Sequence, residues 1–238
     1  MHLPDGIEYE NAELLGGSSQ QGTPNIRQIR KLPTFYRSKG YRRAAVTKGW
    51  LEEAIVHRAG MMSMDTSNAE FRRVMRGLNI LIDGIQHRNG QDRLHQFVRA
   101  LEALILPDIG STERQFAHRC QTFAVAGDNT RDLLLEAFAM RSDTEHVHPW
   151  DRAVQHYPAD RREDVCWQRT RQIERLACDA YSRLLGDAAL REHFRTDEAI
   201  VAFWKMRDDQ RRALWGKPLD ITREPLVQNY NQWGRAVA

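Results

Sequence analysis

Between Ser67 and Leu214 the apolar residues recur at intervals of three and four, and nowhere does a run of four to eight β-branched residues alternate with polar ones. That spacing lines one face of a helix, whereas a half-buried strand needs a period of two. The chain is therefore expected to be all-α, an antiparallel bundle of about five to six helices joined by short connections. Its 238 residues suffice for one large domain, and 41% hydrophobic with 28% charged residues is the balance of a globular protein.

The helix signals come in order. Ser67 and Glu70 have capping-box spacing, and Phe71, Val74, Leu78, Leu81 or Ile82, and Ile85 follow up to a stop at Asn89-Gly90. A second helix carries Leu94, Phe97, Val98, Leu101 and Leu104 and stops at Pro107. A third starts at Ser111 or Thr112, with Gln115 placed to complete a box, carries Phe116, Cys120 and Phe123, and ends at Gly127. Asp128 or Asn129 caps the next. After a polar loop over 151–162, a long helix covers about 162–185, with Gly186 as its C′ residue. A last one covers about 197–214 and is broken by Gly216-Lys217-Pro218. The expected organisation is an irregular basic arm over 1–64, with a short helix near 46–58, a bundle over 65–215, and a tail over 216–238. Tyr230 and Trp233 are expected to pack that tail back on the bundle or a partner.

No stretch approaches the ~20 apolar residues of a membrane span. The N-terminus lacks a basic region followed by an apolar one. Cys120, Cys166 and Cys178 have no C-x-x-C spacing, so a reduced, cytoplasmic protein without disulfides is expected. Net charge is only +3 but unevenly spread. Between Asn25 and Trp50 stand eight Lys or Arg and no acid, with Phe35, Tyr36 and Tyr41 interleaved. Such a stretch can track a phosphate backbone and stack on bases, or be a solvated arm with no partner. The run 16–22, GGSSQQG, reads as a flexible linker.

The most informative stretch is 133–150, LLLEAFAMRSDTEHVHPW. Leu134 and Phe138 lie at i and i+4 with Arg141 three further on, so the guanidinium starts beside a buried face and needs a partner there, such as Glu102 or Glu136. His146 and His148 follow, and Pro149 biases His148 away from helix. On a continuing helix His146 lies about 140° from Arg141 and His148 about 20°, while fraying before Pro149 lets His146 swing round. A fixed cation beside imidazoles that titrate near neutrality suits phosphate chemistry. Asp143, Glu145, His146 and His148 also have the donor types of a Zn or Mn site, though no third His is close by. His95, His118 and His193 carry no context that sets them apart.

The order of these features resembles the HEPN family, particularly its ApeA-like branch. The residues that carry the resemblance are Arg99-Ala100-Leu101-Glu102 in one helix, Phe116-x-x-Arg119-Cys120 in the next, and Arg141 followed by His146 or His148 as an R-x(4–6)-H motif. It covers about 93–150, and more loosely 67–214. The resemblance implies a compact helical bundle and a metal-independent endoribonuclease that needs no cofactor, acting as a toxin or anti-phage effector. It also implies a homodimer that gathers two Arg/His pairs in one cleft, and an activator or antitoxin partner. Arg141, His146 and His148 are then the catalytic candidates, with His146 favoured. Ser142, which stands where many active members carry Asn, Asp or His, is a candidate substrate contact together with Arg42 and Arg43. Glu102 and Arg119 are supporting residues, read as core ion-pair members that hold the bundle. The family also contains non-catalytic members, so a helical module that binds nucleotide, RNA or a protein partner is the alternative.

Overall fold

A computed structural model describes residues 13–20, 23–31, 47–64, 69–87 and 89–223. Two antiparallel strands, β1 (Glu13–Gln20) and β2 (Thr23–Lys31), precede the helices. Part of the 16–22 run therefore belongs to a hairpin and is not a free linker. Pairing is made by backbone groups, which Gly and Ser supply as fully as apolar residues do, so no alternating pattern announced it. The helices are α1 (Lys48–Met62), α2 (Arg72–Gln86), α3 (Gly90–Ile105), α4 (Thr112–Arg119), α5 (Asp128–Glu145), α6 (Arg162–Gly186), α7 (Ala188–Glu192), α8 (Asp197–Lys205) and α9 (Asp208–Trp215).

The fold is an all-α bundle built on α3. Leu94, Phe97, Val98, Ala100, Leu101, Leu104 and Ile105 have no exposed surface. Each large one contributes about 1.5–3 kcal/mol by leaving water. Gly77 and Gly84 of α2 lie against Ala103 and Phe97 of α3, and Glu102 and His95 of α3 face Arg141 and Glu145 of α5. Sequence numbers fall on one helix as they rise on the other, so α2 and α5 run antiparallel to α3. By the same reasoning Arg93 facing Glu174, and Ala100 facing Tyr181, make α6 parallel to α3. The antiparallel expectation thus holds for α2 with α3 and for α5 with α6, while α6 runs parallel to α3.

Several helix ends differ from the sequence reading. Ser67 lies outside the described residues, and α2 begins only at Arg72 after Phe71, whose φ of 53° no capping box anticipates. Glu70 pairs with Arg195 instead. Asn89 caps α3 by accepting from Gln91 N–H at 2.8 Å, so Asn89-Gly90 starts a helix rather than ending one. Gln115 does not close a box with Thr112; its side chain bonds Asp108 and the Ser111 hydroxyl. Gly127, not Asp128 or Asn129, holds the N-cap position of α5. Two 3₁₀ turns interrupt the loop over 151–162. Gly186 is the last residue of α6, and Asp187 then caps α7 through Leu190 N–H. The helix expected over 197–214 is split by Met206 and Arg207, both extended. The break at Gly216 stands, at φ +83°. Tyr230 and Trp233 lie outside the described residues; before them, Leu219 pairs with Ala124 and Ile221 is buried.

Gly77 shows how tightly α2 sits. A Cβ there would overlap the Tyr181 hydroxyl and come within 2.7 Å of Ala103 Cβ. Tyr181 is fully buried and donates to Ala100 O at 2.9 Å. Gly77→Ala is expected to destabilise the protein by about 1–3 kcal/mol, and Tyr181→Phe by about 1 kcal/mol. Because the second change vacates the space the first needs, denaturant titration of the double variant should show a loss smaller than the sum; additive losses would contradict this packing.

Candidate functional site

The site is assembled where the C-terminal half of α5 crosses α3. Leu134, Ala137, Phe138 and Met140 bury the inner face of α5. Arg141, one helical step beyond Phe138, lies with its guanidinium carbon 5.4 Å from that ring's centre. Its side chain is 16% exposed. One terminal nitrogen donates to Glu102 at 3.2 Å, the other to Glu145, and Nε is buried with no hydrogen-bond partner. Of the two partners expected for Arg141, Glu102 is the one it meets; Glu136 pairs with Arg169.

The neighbours extend this pair into a cluster. His95, Arg99 and Glu102 stand at i, i+4 and i+7 of α3 and so share a face. His95 Nε2 lies 3.4 Å from Glu145 Oε1. Burial pushes the His95 imidazole below its ordinary 6.5; the bond to Glu145 opposes this, and the charges of Arg141 and Arg99 reinforce it. Burial pushes the Glu102 carboxyl up, against the pull of Arg141. The His95 imidazole is thus neutral at neutral pH, held between α3 and α5.

The end of α5 forms a tight turn. The helix stops at Glu145, and His146 closes it with its N–H on Ser142 O at 3.2 Å. Val147 adopts φ +58°, and His148 N–H returns to Asp143 O at 2.8 Å. This is a left-handed helix stop of the kind usually given to Gly. A β-branched residue there costs about 1–2 kcal/mol. Trp150 Nε1 donates to Thr144 Oγ1 at 2.9 Å and ties the turn down. Val147 is 91% exposed; His146 and His148 are also exposed, their ring centres 6.1 Å apart. Strained backbone of this type gathers at functional sites.

Because α5 ends at Glu145, the alignment of His148 with Arg141 that a longer helix would give does not arise. His146 follows the last helical residue and leaves the axis about 140° from Arg141. Among the described residues no hydrogen bond or ion pair joins Arg141 to either histidine. Ser142 is half-buried, its carbonyl taken by His146. Arg42 and Arg43 lie outside the described residues. Arg119 is not an ion-pair partner of Glu102: it donates to the carbonyls of Ile105 and Leu106 at 2.6 and 2.7 Å, closing the end of α3, and lies 3.7 Å from Asp108. Asp143 is buried and Glu145 is engaged, and among the described residues no three His, Cys, Asp or Glu side chains gather as a metal site would need. Sequence reading passed over His95 and the role of Glu145. The i, i+4, i+7 spacing of His95, Arg99 and Glu102 was the available signal.

Comparison with protein-family models, curated proteins and solved structures returns no match. No helix among the described residues is long and apolar enough to cross a membrane.

The cluster makes a prediction about His95. Its NMR titration should lie below 6.5 in the wild type and shift upward in Arg141→Ala, which removes a nearby cation and frees Glu145 for the imidazole. A downward shift, or none, would break the link between the two residues.

Proposed function

We propose that the chain is a metal-independent endoribonuclease of the HEPN type that works in the cytoplasm as a toxin or anti-phage effector. RNA is its substrate, and the active form is a homodimer under the control of an activator or antitoxin. The observation that carries this reading is the end of α5: a strained turn exposes two imidazoles immediately after a helix whose Arg141 is anchored against α3. His146 is assigned to take the proton of a ribose 2′-hydroxyl as that oxygen bonds the adjacent phosphorus and the P–O5′ bond breaks, the leaving 5′-oxygen gaining a proton, with His148 beside it. Proton transfer from a placed imidazole gives about 10²–10⁴-fold. Arg141 is assigned to the charge building on the phosphoryl oxygens. Glu145, on the more exposed side of the cluster, is the partner a phosphate would displace, with Glu102 keeping the guanidinium in place. Attack by the 2′-hydroxyl confines cleavage to RNA.

A second reading has its own support. Both terminal nitrogens of Arg141 are already occupied by carboxylates, which suits a non-catalytic helical module that binds nucleotide, RNA or a protein.

Incubation with structured and single-stranded RNA in EDTA separates the two. The ribonuclease reading predicts products ending in a 2′,3′-cyclic phosphate. It also predicts a loss of about 100-fold or more in Arg141→Ala and His146→Ala, with helical content unchanged. Cleavage unaffected by Arg141→Ala, His146→Ala and His148→Ala would refute the assigned residues, and wild-type protein inert on every RNA would favour the binding module. The basic arm is tested separately: neutralising Arg42 and Arg43 should weaken RNA binding and reduce its logarithmic salt slope by about one to two. Unchanged affinity and slope would remove the arm from the account.

A further inference from the structure

Half of the Glu136 carboxylate is idle. Its side chain, on α5, is only 8% exposed. Oε2 accepts from Arg169 of α6 and lies 3.5 Å from the Tyr157 hydroxyl, whereas Oε1 is buried with no hydrogen-bond partner. A buried acceptor left without a donor is costly, so a position of this kind calls for one. Arg169 cannot serve, because its remaining nitrogens go to the Tyr157 hydroxyl at 3.0 Å and Gln172 Oε1 at 2.9 Å. His156 Nε2 stands 3.6 Å from Oε1, beyond hydrogen-bond reach. The His156 side chain is 61% exposed and its ring leans on Tyr157, centres 4.2 Å apart, so a rotation of it uncovers Oε1. All of these residues line one cleft of about 580 Å³ between α5 and α6, the size of a small-molecule site. Asn129 and Gln168 also line it, and among the described residues neither side-chain amide makes a hydrogen bond.

We propose that this cleft receives an unpaired RNA base that carries an exocyclic amino group: adenine, cytosine or guanine. The charges already paired there call for a neutral donor. Glu136 has Arg169, and Asp132 at the rim has Arg131 at 3.5 Å, so a second cation at Oε1 would be repelled by the Arg169 guanidinium. An exocyclic amine projects beyond its ring and reaches a recessed oxygen, just as carboxylates accept from the cytosine amino group. The ring N–H of uracil is recessed between two carbonyl oxygens, which would meet Oε1 first. The Asn129 and Gln168 amides each offer donors and an acceptor to the rest of the base edge. Tyr157 and His156 offer ring faces of the kind on which single-stranded bases stack. The cleft is also near the histidine turn. Asp143, whose carbonyl receives His148 N–H, lies two turns and about 10 Å beyond Glu136 on the same face of α5. That the base belongs to RNA rests on the ribonuclease reading; that the cleft holds a base does not.

NMR titration of the full chain with nucleoside 5′-monophosphates tests this, read at the side-chain amides of Asn129 and Gln168 and at Arg169 Nε–H. AMP, CMP and GMP should move these signals together and bind about tenfold tighter than UMP. Inosine monophosphate, which is GMP without its amino group, should bind as weakly as UMP. Glu136→Gln keeps an acceptor for Arg169 and turns an amide N–H toward the cleft, so the preference for an amino group should vanish. Should that variant not fold, Gln168→Ala breaks no hydrogen bond and should weaken AMP several-fold with an unchanged circular dichroism spectrum. Signals unmoved by any nucleotide, an equal response to UMP and inosine monophosphate, or AMP binding indifferent to Gln168→Ala would overturn the proposal. Nucleotide binding by a protein inert on RNA would support it while counting against the ribonuclease reading. RNA cleavage without any response to nucleotides would overturn it and leave the ribonuclease reading standing.

Discussion

Everything in the bundle depends on the burial of α3 by its neighbours. A helix so enclosed must satisfy its polar groups without water, since a lone buried charge or carbonyl costs several kcal/mol. Three arginine contacts contribute to this. Arg93 meets Glu174 of α6 at 2.9 Å, Glu102 meets Arg141 of α5, and Arg119 of α4 takes the carbonyls at the helix end. Each joins α3 to a different helix. Buried ion pairs add little net stability, but breaking one strands a charge. Their plainest effect is to fix which helix faces which, and in what register. The candidate site is one of these three contacts, so its geometry is set by the architecture as a whole.

Arginine is used in the same manner elsewhere. Arg191 donates to the carbonyls of Leu184 and Leu185 at the end of α6, and Arg211 to those of Trp204 and Met206 at the end of α8. Helices leave their last carbonyls unsatisfied, and a cation there also complements the helix dipole. These arginines are thus committed internally. Arg93, Arg119, Arg191 and Arg211 do not advertise a nucleic-acid surface, whatever composition alone suggests. An electrostatic case for RNA rests on the run 25–50 and the end of α5.

The helices themselves were legible because burial imposes a period on the sequence. Phe97, Leu101 and Leu104 had to face inward wherever α3 lay, and Ile173, Leu176, Ala180 and Leu184 did the same for α6. Helix ends were harder to read, because they depend on single backbone conformations such as Phe71 at φ 53° and Val147 at φ 58°, which residue type does not reveal. The break at Met206 has no Gly or Pro to mark it; Met206 and Arg207 simply turn to extended backbone. At the site, the pairing of Arg141 with an acid could be read from its place beside Phe138. Choosing Glu102 over Glu136 required the register of α3 against α5, a long-range fact. His95 had no local context, and its significance arises only when Glu145 arrives from another helix.

The central claim is that the end of α5 receives a phosphate backbone, with Arg141 and His146 on it. The most direct measurement is an NMR titration with a short RNA whose 2′-hydroxyls are methylated, so that it binds without reacting. Arg141 Nε–H, buried and without a hydrogen-bond partner, is a reporter inside the site, and the amides of His146, Val147 and His148 report its rim. The account predicts that these four signals move together and saturate at one affinity. Saturating RNA that leaves them in place, while signals elsewhere shift, would contradict it.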